Sequence, residues 1–111
     1  MIKGKTTTGF EFEYDSKYLK DWEYVTKQSR LLELLEIIQV NEKDSSASAE
    51  AIALIDGMLN LLIGKIETKK LIVHVRENNE EGIADIKSML QALNEITGAA
   101  KEKNSSSLHD A

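Results

Sequence analysis

The sequence predicts a mostly α fold, a small helical bundle with an N-terminal β-hairpin and a disordered C-terminal tail. Three observations carry that expectation. Phe10-Glu11-Phe12-Glu13-Tyr14 alternates apolar and acidic residues, the period of two of a half-buried strand. Downstream, apolar residues recur every three or four positions in several blocks, the spacing of helices that bury one face. Past residue 98 the periodicity stops, and 99–111 is small and polar, with Ser105-Ser106-Ser107. A length of 111 residues with 41% hydrophobic and 30% charged content suits one domain, placed at 1–98 with the tail after it.

Each element has its own justification. Thr7, Thr8 and Gly9 precede the alternating strand, and a glycine there permits the positive φ of a hairpin loop. The partner strand falls on 2–6, weakened by Gly4, so the hairpin occupies about 1–14. Asp15 and Ser16 offer N-cap chemistry. Leu19, Trp22, Val25, Ser29 and Leu32 then mark one face of a helix, and Leu31, Leu34, Leu35 and Ile38 continue the apolar stripe. The pattern fits one long helix or two joined near 27–30. A polar connector spans 41–47.

The block 49–63 is apolar over most of its circumference and belongs at the centre of the bundle, with Gly64 at its C-terminal end. Gly57 within it implies either a close neighbouring backbone or a locally weak helix. Leu71-Ile72-Val73-His74-Val75 favours a strand by propensity. The charge order from Glu67 to Arg76 favours a helix, and helix is the reading adopted. Asn78, Asn79 and Gly82 form a turn; Ile83, Ile86, Leu90, Leu93 and Ile96 define a last helix that Gly98 ends.

Composition narrows the function. The chain has no cysteine, which excludes disulfides, thiolate metal sites and cysteine nucleophiles. A net charge of −5 argues against nucleic acid as a partner, since phosphate binding needs a basic footprint. The longest apolar run, 51–63, carries Asp56 and Asn60 and falls short of the roughly 20 residues of a membrane span, so no membrane partner is expected. No catalytic, cofactor-binding or metal-ligating set emerges. His74 and His109 lack partners at informative spacings. Glu77-x-Asn79-x-Glu81-Gly82 imitates half a calcium loop, but the twelfth position is Ser88 rather than an acid. Lys65, Lys69, Lys70 and Arg76 form a short basic stretch without aromatic interleaving. The expectation is a non-enzymatic protein.

All six aromatic residues fall between positions 10 and 24, and aromatic side chains are common anchors at interfaces. Phe10, Phe12 and Trp22 are assigned to the core, joining hairpin to bundle. Tyr14, Tyr18 and Tyr24 are assigned to the rim as partner-binding residues, where a hydroxyl stays wet. Trp22 and Tyr24 lie about 200° apart on a helix, so a core Trp22 implies an outward Tyr24.

Two short motifs carry a resemblance. Gly9-Phe10-Glu11-Phe12-Glu13-Tyr14-Asp15 leads into Leu19-Lys20-Asp21-Trp22-Glu23-Tyr24-Val25, and the central helix closes on Leu61-Leu62-Ile63-Gly64-Lys65. Over roughly 8–97 this order resembles the small tail assembly chaperones of long-tailed bacteriophages and prophages. The resemblance implies a helical protein that binds the tape measure protein and keeps it soluble while tail tube subunits polymerise. It also implies the host bacterial cytoplasm as the location and absence from the mature virion. The tail tube protein is a second partner it implies, through a longer frameshifted form; self-association is compatible with it. A small acidic protein-binding adaptor or a structural tail-completion subunit would share these sequence features.

Overall fold

The computed structural model describes the backbone of residues 1–110 and the side chains of residues 1–101. Two strands, β1 (Ile2–Lys5) and β2 (Glu11–Tyr14), pair antiparallel with Ile2 opposite Tyr14 and Gly4 opposite Phe12. The pleat sends Ile2, Phe12 and Tyr14 to the core and sets Lys3 and Lys5 opposite Glu13 and Glu11 on the other face. Gly4 has a specific reason to be glycine. The Phe12 ring lies across it, so that a Cβ there would sit 2.6 Å from the ring tip. The loop closes through Thr6 N–H to Phe10 O (2.9 Å) and Gly9 N–H to Thr6 O (2.9 Å), with Gly9 at φ 101°.

The next segment resolves the choice between one helix and two. A 3-10 turn (Ser16–Lys20), begun by Asp15 accepting from Lys17 N–H, stops at Asp21. Asp21 is extended (ψ 141°), and its carboxylate accepts from Glu23 N–H at 2.9 Å, which starts α1 (Trp22–Val40). The helical phase therefore restarts at Trp22, and Leu19 belongs to a different turn. α1 buries Tyr24, Leu31 and Leu34, with Leu35 and Ile38 packed against the same core.

Asp44 caps α2 (Ser45–Ile63) through Ala47 N–H. The connector is thus shorter than the 41–47 expected. α2 is the axis of the bundle: Ala51, Ile55, Met58, Leu59 and Leu62 are buried, and α1, α3, α4 and β2 all pack on it. Each large buried side chain there stabilises the fold by about 1.5–3 kcal/mol. Among the described residues, α2 alone is long and apolar enough to cross a membrane, because its alanine- and serine-rich first turns extend the apolar run. That corrects the sequence-based count, which stopped at residue 51. In this fold α2 is the core helix. Gly57 faces a neighbouring side chain rather than a backbone: the Lys27 stem lies 3.1 Å from where its Cβ would be.

Gly64 (φ 87°) is the whole joint between α2 and α3 (Lys65–Asn78), and its carbonyl accepts from both the backbone and the hydroxyl of Thr68. The β-branched run 71–75 is helical, as expected, with Leu71 and Val75 buried on α2. After the turn at 79–85, Asp85 caps α4 (Ile86–Asp110) by accepting from Ser88 N–H at 2.8 Å. That bond and the Ser88 hydroxyl hold the Asp85 carboxyl below its ordinary pKa.

Two expectations at this end are corrected. Ile83 lies before the helix because the cap is at Asp85, and Gly98 does not end the helix. Ala99 to Lys101 continue it, since Ala100 is buried next to Ile96, whose carbonyl accepts from the Tyr14 hydroxyl at 2.8 Å. That tertiary contact outweighs the roughly 1 kcal/mol helix cost of glycine. From residue 102 the backbone runs on as α4 to Asp110, and the side chains there, His109 included, lie outside what is described, as does residue 111.

Candidate interaction face on the first helix

The aromatic cluster divides differently from the sequence assignment. Phe10 and Phe12 are in the core, as expected. Trp22 is not: it is 86% exposed. Tyr14 and Tyr24 are each only 2% exposed, so two of the three proposed rim tyrosines are core residues. For Tyr14 the cause is strand alternation, which points it the same way as Phe12, and Ile96 O satisfies its hydroxyl. For Trp22 and Tyr24 the cause is the phase of α1: at 100° per residue Tyr24, Leu31, Leu34, Leu35 and Ile38 share the inward face, and Trp22 lies about 180° from Leu31. Burial pushes the Tyr24 phenol up to about 12, with Tyr14 a secondary contribution. Tyr14 is also raised, by burial first, while the backbone N–H of Ala100 acts against it. Only Tyr18 reaches the surface, with Lys17 Nζ 5.3 Å from its ring centre.

This phase leaves outside a row of exposed side chains, apolar at Trp22, Val25, Leu32 and Val40, with Ser29 and Glu36 between them. At 100° per residue, Trp22, Val25, Ser29, Leu32 and Val40 fall within a sector of about 80° on the side of α1 away from α2, roughly 27 Å from end to end. Trp22, Leu32 and Val40 are 86%, 59% and 90% exposed, with Val25 and Ile37 also at the surface. Trp22, Val25, Thr26, Ser29, Arg30 and Glu33 line a shallow cleft at its first half. Scattered surface apolar residues are ordinary, but several aligned on one helix face are a recognition feature.

Charge frames the stripe. The Arg30 guanidinium donates to both Glu50 oxygens (2.7 and 3.0 Å) and to Glu33 (3.0 Å). Those bonds raise the already high arginine pKa and lower that of Glu50. Lys27 is engaged by Glu23 at 3.6 Å. Glu36, beside Leu32 and Val40, has no ion pair among the described residues, and the last turn of α1 carries no basic residue.

The other sequence candidates are structural. His74 Nε2 is 2.9 Å from the Thr8 hydroxyl, and its ring packs on Phe10, tying the hairpin loop to α3. In the calcium-like segment Asn79 Oδ1 accepts from Glu81 N–H and its amide donates to Ser88, so the would-be ligand is spent on the turn. Among the described residues no group of three or more His, Asp or Glu side chains is placed to hold a metal.

Val40 is exposed, as its place opposite the Leu31, Leu34, Leu35 and Ile38 stripe implies; Trp22, Val25 and Leu32 are exposed against expectation. The available signal is that Trp22 lies about 180° from Leu31 on a helix, and that α1 has more apolar positions than one face can bury. Comparisons with protein-family models, curated proteins and solved structures find no match for this chain.

Proposed function

We propose that this chain is a non-enzymatic helix-binding protein, a tail assembly chaperone that holds segments of a tape measure protein in solution before the tail tube encloses them. The single observation that carries the binding half of this reading is the exposed apolar face of α1, led by Trp22. A stripe with apolar anchors at three-, seven- and eight-residue intervals matches the face of an amphipathic client helix. The bundle behind it is held by α2, so α1 can offer its outer side without loss of core. The choice of client rests on the sequence resemblance. On this reading the protein works in the host bacterial cytoplasm and leaves before the virion matures, and the tail tube protein is a second partner.

Co-expression tests it. A tape measure protein encoded beside this chain should be soluble and co-purify with it, and Trp22→Ala should return that client to the insoluble fraction while the chaperone stays folded. A client insoluble with or without the chain, across several salt concentrations, refutes the chaperone role. Stoichiometric recovery of the chain from finished particles would identify a structural subunit instead.

A further inference from the structure

The charges around the α1 stripe are unequally distributed along it, and that distribution describes a partner. The first half, Trp22 to Ser29, is aromatic and apolar, and its nearby ions are already matched in the Glu23–Lys27 pair. The second half is acidic. Glu36 lies within the stripe between Leu32 and Val40, Glu33 lies beside it, Glu42 and Asp44 follow the helix end with Lys43 between them, and residues 33–56 together carry a net charge of −5. Arg30, on the same helix, is committed to Glu50 and Glu33, and Lys43 past the helix end is the single basic residue of 33–56. The C-terminal end of a helix adds a partial negative charge of its own carbonyls, and no lysine or arginine in the last turn of α1 offsets it.

We propose that the outer face of α1 binds a basic amphipathic helix of a partner protein, about 18 residues long and antiparallel to α1. Its apolar stripe covers Trp22, Val25, Leu32 and Val40, and lysines or arginines in its N-terminal half lie over Glu33 and Glu36. Antiparallel docking sets the partner's positive N-terminal dipole against the negative end of α1, so dipole and side-chain charge favour the same orientation. This rests on the reading of α1 as the client face and specifies the chemistry of the client.

A second copy of the chain is a poorer occupant. Its basic apolar surface, Ile66 and Val73 with Lys69 and Lys70 on α3, offers two anchors separated by about 10 Å of helix, whereas the α1 stripe is about 27 Å long. Each copy also carries a net charge of −5.

The test uses three synthetic 18-residue peptides sharing one leucine stripe: lysines in the N-terminal half, lysines in the C-terminal half, and glutamates replacing the lysines. Trp22 is the sole tryptophan, so its emission reports the face directly. The first peptide should shift Trp22 emission to the blue and bind at least tenfold more tightly than the second, with the third weakest. The double variant Glu33→Lys/Glu36→Lys should lose at least tenfold for the first peptide and prefer the third. Glu80→Lys/Glu81→Lys, on the distant acidic turn, should bind as the parent does. Equal binding of lysine and glutamate peptides, binding indifferent to the Glu33/Glu36 exchange, or unshifted Trp22 emission overturns the proposal. If the co-expressed client still depends on Trp22 but these peptides fail, the charge inference falls and the client face stands. If the peptides bind as described and the tape measure protein does not, the choice of client falls instead. Concentration-dependent dimerisation removed by Lys69→Glu/Lys70→Glu, with no peptide binding, would assign the face to a second copy.

Discussion

Tyr24 and Trp22 sit two residues apart in one helix, and the structure gives them opposite fates on truncation. Tyr24 is 2% exposed within the cluster that includes Tyr14, Leu31 and Leu34. Removing its ring leaves a core cavity, and aromatic-to-alanine changes at such sites cost about 3–5 kcal/mol. Against a typical total of 5–15 kcal/mol for a whole domain, that is a large fraction. For a domain of this size 1 kcal/mol moves the midpoint by roughly 4–8 °C, so Tyr24→Ala should lower Tm by at least about 12 °C. Trp22 is 86% exposed, and Trp22→Ala should change stability by no more than about 0.5 kcal/mol. Thermal melts followed by circular dichroism, with urea titrations to check that the m-value is unchanged, measure both. Native Trp22 emission should already resemble that of the unfolded chain. A Trp22→Ala variant as damaged as Tyr24→Ala would mean that Trp22 is packed in the core, and the proposed client face would disappear with it.

Three further outcomes follow from the same contacts. Gly4→Ala should destabilise by about 1–3 kcal/mol in urea unfolding, because the new Cβ meets the buried Phe12 ring at 2.6 Å; the double variant Gly4→Ala/Phe12→Leu should recover part of the loss. Tyr14→Phe removes the hydrogen bond to Ile96 O and should cost about 1 kcal/mol by the same measurement. Tyr24 stays protonated in the native chain up to about 12, whereas an unfolded tyrosine ionises near 10. Stability should therefore be unaffected by this group below about pH 10 and fall as pH rises from there through about 12, by on the order of 2 kcal/mol, with Tyr14 adding in the same direction. In Tyr24→Phe, a pH series of urea midpoints should lose most of that slope.

Much of the architecture was legible because it follows from local rules. Phe10 to Tyr14 states a strand by alternation, 49–63 states a central helix by being apolar nearly all round, and Gly9 and Gly64 mark a turn and a joint at positive φ. The helix over 71–75 was legible only by weighing charge order against β-propensity, and packing of Leu71 and Val75 on α2 is what settles it. The misreadings lie where a tertiary contact or a single cap overrules a run of residues. Gly98 reads as a stop, but Ala100 has a burial site beside Tyr14 and Ile96 to reach. The apolar face from 19 to 32 reads as buried, but Asp21 separates Leu19 from it, and Tyr24, Leu31, Leu34, Leu35 and Ile38 hold the inward side of α1 while Trp22, Val25 and Leu32 fall opposite.

The spacing along α1 connects local chemistry to the proposed recognition. Leu31, Leu34, Leu35 and Ile38 fix which side of α1 meets the core, and at 100° per residue that side includes Tyr24 and lies opposite Trp22. Asp21, extended and accepting from Glu23 N–H, begins the helix at Trp22, so the tryptophan sits in its first turn and faces away from α2. Burying the tyrosine sets most of its ring against apolar neighbours, and Tyr14 beside it anchors the hairpin to α4 through Ile96. The side chain left outside is the larger and more adhesive of the two, on the helix whose last turn carries no basic residue. An exposed tryptophan contributes little to folding, so the stripe it heads can change its partner without disturbing the core built around α2. Core and binding face are carried by opposite sides of α1, and the two-residue offset between Trp22 and Tyr24 decides which residue serves which.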